Sequence, residues 1–118
     1  MKYAKRGGVK VLAEPFADVH ELSKAAGKDG RLTVNIAVGF DELVGNGLES
    51  LNDYADERIL GDGIRGSLAD INYGIAGCVK GNSNQCSGLL IIEVNADVGD
   101  VIDENLDDEA ESRLGDEE

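Results

Sequence analysis

Tryptophan is missing from this chain, histidine and proline occur once each, and cysteine occurs twice. Each scarcity closes off a class of function. Cys78 and Cys86 are too far apart for a C-x-x-C redox or zinc pair, and there is no second pair. A zinc site assembled from His20, Cys78 and Cys86 would still lack a ligand unless an acid joined it. His20 sits between Val19 and Glu21, with no nucleophile or carboxylate pair marked out beside it. No serine stands in a nucleophile-elbow context. We therefore expect no enzyme, and assign no catalytic residue, cofactor or metal.

Long apolar runs are also lacking. None approaches the roughly 20 residues that a bilayer-crossing helix requires. The N-terminal stretch is basic but has no apolar region behind it, so neither a signal peptide nor a membrane anchor is expected. The expected location is the cytoplasm. There Cys78 and Cys86 would more often stay reduced, with a disulfide across the loop between them as the alternative. Aromatics are confined to Tyr3, Phe16, Phe40, Tyr54 and Tyr73, so Val, Ile and Leu must fill the core. Against one proline stand 16 glycines, which suits tight turns rather than stiff linkers. At 118 residues the chain fits one domain with a modest core.

What the chain has in excess is acid. Its net charge is −13, and this is unevenly spread. Residues 1–60 hold eight bases and ten acids; residues 61–118 hold three and fourteen. Lys2, Lys5, Arg6 and Lys10 leave the first ten residues without an acid, whereas residues 103–118 contain a single base, Arg113. Such a field disfavours nucleic acid and anionic membranes as direct partners and steers basic ones toward the acidic end.

Periodicity supplies the elements. Val9, Val11 and Leu12 suggest a short strand. Pro15 at a first turn, with Phe16, Val19, Leu22 and Ala26 at roughly helical spacing, predicts a helix over 15–26 that Gly27 ends. Leu32, Val34, Ile36, Val38 and Phe40 alternate with more polar or smaller residues, the pattern of a strand with one buried face. Asp41 reads as the cap of a helix carrying Val44, Leu48, Leu51 and Ala55 on one stripe, weakened by Gly45 and Gly47 and ended by Gly61. Residues 68–79, with Ile71, Tyr73, Ile75 and Gly77 on one face, and residues 89–94 read as a hairpin around the polar loop 80–88. A last helix from Asp100 places Ile102, Leu106 and Ala110 on one stripe among carboxylates. The order β-α-β-α-β-β-α predicts a single small α+β domain, a mostly antiparallel sheet with helices packed on one face. We divide it into a basic arm (1–8), a core (9–102) and an acidic helix or tail (103–118).

Two motifs fail on inspection. Gly61, Gly63 and Gly66 match G-x-G-x-x-G, the dinucleotide-binding pattern. That pattern must follow a strand and open a helix, and here it does the reverse. Residues 95–100 resemble a calcium loop, but Gly99 and Asp100 fall at the wrong positions for an EF-hand.

The acidic terminus can be a solubilising tail, a docking surface for a basic protein, or a mimic of nucleic-acid phosphate. Mimicry has a physical basis, because a helix rises ~1.5 Å per residue and duplex DNA carries one charge per ~1.7 Å. Neighbouring acids such as Asp70, Glu93 or Asp97 would have to line up beside it. The expected function is that of a non-enzymatic binding or inhibitory protein whose Asp103, Glu104, Asp107, Asp108 and Glu111 dock on a basic partner, a nucleic-acid-binding protein or nuclease being the natural candidate. Two alternatives stay open. One is an oligomerising domain, a homodimer through a free sheet edge, with a solubilising tail. The other is a small-molecule binder or enzyme using the loop from Gly61 to Gly66 and that from Asn82 to Ser87.

Overall fold

The computed structural model describes residues 2–79 and 88–116, with the side chains of residues 46, 48 and 108–116 outside that description. Two strands, β1 (Tyr3–Arg6) and β2 (Val9–Leu12), open the chain. They are followed by α1 (Val19–Ala25), β3 (Arg31–Gly39), α2 (Phe40–Ile59), β4 (Ala69–Cys78), β5 (Leu89–Asp97) and α3 (Gly99–Asp116). The α+β class and the antiparallel pairing agree with the sequence. The basic arm needs correction: residues 3–6 form β1, giving one strand more than expected. Arg6 pairs with Val9 across Gly7 and Gly8, whose φ values of 56° and 83° make the two-residue turn that splices a twisted hairpin.

β3, β5 and β4 form the main sheet in that order. β3 runs antiparallel to β5 in unbroken register from Arg31↔Asp97 to Gly39↔Leu89. Leu32, Val34, Ile36 and Val38 are buried on one face, together with Leu90, Ile92, Val94 and Ala96 of β5. Val19 and Leu22 of α1, Leu51, Ala55 and Ile59 of α2, and Val98 and Val101 at the start of α3 are buried too, most of them in the same core cluster. Ile91 points the other way and is also buried, beneath the β1–β2 hairpin: a Cβ on Gly77 would meet both Val9 and Ile91.

Several boundaries differ from the periodicity. The first helix starts at Val19 rather than Pro15, because Phe16 is drawn into a parallel bridge with Leu60. Asp18 caps it, accepting the Glu21 amide at 2.9 Å, while the Glu21 carboxylate reaches back to the Ala17 amide at 2.9 Å. This reciprocal arrangement is close to a capping box. Phe40 opens α2 instead of closing β3, and Gly39, not Asp41, is its N-cap. At Gly47 φ is 79°, which breaks α2 into two helical pieces. Val44 therefore leaves the stripe shared by Leu51 and Ala55 and is 69% exposed. α2 also stops at Ile59, before Gly61. In β4 the register shifts between Ala69 and Asn72 and again between Ile75 and Gly77. The second shift carries Gly77 to the face opposite Tyr73 and Ile75.

Candidate functional site

The acidic terminus is the surface the sequence singles out, and its first two turns are built on the fold. Val98, Val101 and Asn105 are buried, at spacings that share one helix face. Asn105 is the only buried polar side chain among the described residues, and both its oxygen and its nitrogen are hydrogen-bonded. Its oxygen accepts the Arg65 amide at 3.0 Å, and its nitrogen donates to the Arg65 carbonyl at 2.9 Å and the Val101 carbonyl at 2.6 Å. α3 is thereby bonded to the loop between α2 and β4. On the outward arc Asp103, Glu104 and Asp107 are all exposed. Asp108 and Glu111 belong to the same helix, but their side chains lie outside the described residues. Sequence patterning finds the carboxylate face and misses Asn105, which reads as one more polar residue in an acidic run.

Of the further acids considered for a longer array, Glu93 is exposed on β5, and Asp97 accepts the Gly99 amide at 2.9 Å at the entry to α3. Asp70 lies in the first irregularity of β4 with φ 48°, and its carbonyl accepts from the Arg31 guanidinium at 3.3 Å.

The glycine-rich connection has a packing explanation. A Cβ on Gly61 would lie 2.5 Å from the Phe16 carbonyl oxygen, and one on Gly63 would lie 2.5 Å from that of Ala17. The backbone of this loop presses on the 16–17 segment, with the Gly61 amide donating to Phe16 at 3.0 Å and Ile64 buried. The glycines serve chain-to-chain contact and follow a helix, as the order of elements requires. The partner loop from Asn82 to Ser87 lies outside the described residues. Cys78, at the end of β4, is disulfide-bonded, whereas the compartment argument leans to a reduced thiol; Cys86 lies outside the described residues. Among the described residues no group of three or more His, Cys, Asp or Glu is arranged to hold a metal ion. No helix there is long and apolar enough to cross a membrane.

Two other concavities stand out. A cleft of about 510 Å³ between α1 and α3 is lined by Lys28, Asp29, Ile102 and Asp103 among others. A groove of about 390 Å³ lies between α2 and β4, lined by Leu43, Leu51, Tyr73, Ile75, Leu90 and Ile92. Beside it the Tyr73 hydroxyl donates to the Asn52 side-chain oxygen. The Tyr73 hydroxyl titrates above its ordinary range because of burial, reinforced by the charge of Asp56. Ile75 is 64% exposed in this groove, and no charged residue among the described ones lines it.

Comparison with protein-family models, curated proteins and solved structures finds no significant match to this chain.

Proposed function

We propose that this chain is a non-enzymatic binding protein that docks its acidic terminal helix on a basic partner and so occupies or inhibits it. A nucleic-acid-binding protein or a nuclease has the complementary charge. The observation that supports this reading is the anchorage of α3. Val101 and Asn105 fix the helix to the core, so Asp103, Glu104 and Asp107 leave the body of the domain as a set array. A preset field of one sign speeds encounter with an opposite patch and costs less ordering on binding than a loose tail. Asp108 and Glu111 extend the same run of carboxylates in sequence.

The test replaces all five acids by Asn or Gln and measures binding to partners captured from the native host at low salt. Affinity should fall at least tenfold and lose most of its salt dependence. Unchanged affinity sinks the reading. Among the described residues β4 lies at an edge of the three-stranded sheet, which favours a second reading, an oligomerising domain whose tail only keeps it soluble. Removing residues 103–118 separates the two: the first predicts lost binding, and the second predicts lost solubility with binding intact.

A further inference from the structure

The groove between α2 and β4 lies beside a strand with unused hydrogen-bonding capacity. β4 pairs only with β5 among the described residues, so the backbone groups on its outer side, from Asn72 to Ile75, have no strand to bond to. The adjoining groove is apolar, and Ile75 projects there largely uncovered. A free strand edge flanked by a helix across an apolar trough is the geometry of strand addition. In that mode the backbone of an extended segment completes the sheet while alternate side chains fill the trough.

Charge selects the occupant. No charged residue among the described ones lines the trough, but Asp56 acts on the Tyr73 hydroxyl at its wall, and α2 as a whole carries Asp41, Glu42, Glu49, Asp53, Asp56 and Glu57 against the single base Arg58. A second copy would bring together two chains that each carry a net charge of −13, whereas a basic segment meets an opposite field. We infer that the β4 edge and the α2 trough bind an extended segment of another protein, apolar at alternate positions and flanked by Lys or Arg. The two register shifts in β4 confine regular pairing to the short stretch between them, so the segment engaged is about four to five residues long. This surface uses residues different from the α3 carboxylates and does not depend on them.

The test is selection of a fully randomised library of nine-residue peptides against the whole chain. Enriched sequences should show apolar residues at alternating positions with basic ends. The most enriched peptide, made synthetically, should lose about tenfold or more in affinity for an Ile75→Ser variant whose melting temperature is unchanged. It should bind equally well when Asp103, Glu104 and Asp107 are replaced by Asn, Gln and Asn. N-methylating the amides that face β4 should abolish binding, while N-methylating the alternate amides should not. The inference is overturned if nothing is enriched, if enriched peptides lack alternation, if Ile75→Ser binds as well as the parent, or if both N-methylation registers behave alike. Peptide binding lost in the α3 variant but kept in Ile75→Ser would overturn this inference while supporting docking through α3.

Discussion

In one rung of the main sheet, Ile36 of β3, Ile92 of β5 and Ile75 of β4 lie side by side with exposures of 0%, 3% and 64%. The residue type is the same, as is the central strand, so the difference comes from what each flanking strand is fastened to. β3 alternates without interruption and buries four aliphatic side chains under the helices. β4 shifts register twice, and Ile75 faces the open groove between it and α2. Polar tethers fix the strand's entry and Tyr73, namely the Leu68 amide to Asp56 at 2.9 Å, Arg65 to Asn105, and Tyr73 to Asn52. Ile71, Tyr73 and Cys78 pack partly buried on the core. Both flanking strands pair with β5, but β3 is buried along its whole inner face, whereas β4 is only partly buried and is tethered at its entry by hydrogen bonds.

The largest effect should come from truncating the two outer isoleucines separately. Ile36→Ala removes a fully buried side chain and should cost about 2–5 kcal/mol in denaturant unfolding. Ile75→Ala, one strand away from the centre on the other side, should stay within about 0.5 kcal/mol. Equal costs would mean that the groove beside β4 is closed in solution, and the contrast between the strands would collapse.

Next in size is Asn105→Ala, which strips both bonds from Arg65 and leaves its backbone without those partners. A loss of about 1–3 kcal/mol is expected. The loss should be local as well as global. Amide exchange in residues 61–70 should accelerate more than in residues 32–38, because the tether serves the entry to β4 and not β3. Uniform acceleration would show that the two sides unfold as one unit.

A smaller change should run in the stabilising direction. Gly74 lies in the exposed part of β4, at negative or extended φ, and a Cβ there meets nothing within 4 Å. Gly74→Thr should raise stability by roughly 0.5–1 kcal/mol by restricting the unfolded chain and favouring the strand. The same gain is not open to Gly61, where a Cβ would collide with backbone at 2.5 Å.

The contrast between the strands also sets how much could be read from the sequence. β3 was legible because burial alternates with the pleat, so Leu32, Val34, Ile36 and Val38 announce both the strand and its inward face. Apolar spacing alone groups Gly77 with Tyr73 and Ile75, since a register shift leaves no mark on a list of apolar positions. β1 looks like a basic arm in the sequence, because Lys5 and Arg6 mask a pairing that is decided by Gly7 and Gly8 and by distant cover over Ile91. The break at Gly47 was legible only as a weak spot; the stripe through Val44 assumed continuous helical phase. At the candidate site the exposed acids were plain, since solvated charge needs no tertiary information. Asn105 was not, because its role exists only once the loop at Arg65 is brought against it. The groove was invisible for the same reason: Leu43 and Ile75 are 32 positions apart and meet only through the sheet.

The smallest effect concerns the rim that covers the odd-numbered face of β3, where Asn35 donates to the Lys10 carbonyl at 2.9 Å. The β1–β2 hairpin is tied to α1 by Lys2 and Glu21, 2.6 Å apart. The hydrogen bond between them raises the Lys2 ammonium above its ordinary range. It also lowers the Glu21 carboxyl, helped by the Ala17 amide. A depressed carboxylate contributes stability that is present above its unfolded value and lost as pH falls through the folded one. A raised ammonium contributes stability that is present below its unfolded value and lost as pH rises through the folded one. The pair should therefore stabilise the hairpin across the whole neutral range and fade at both extremes. Comparing melting temperatures of the parent and Lys2→Met from acid to alkaline pH should give a small plateau that closes at each end, screened by added salt. A difference that persists at low pH, where Glu21 is protonated, would assign the effect to packing of the Lys2 stem and leave this cover of β3 independent of charge.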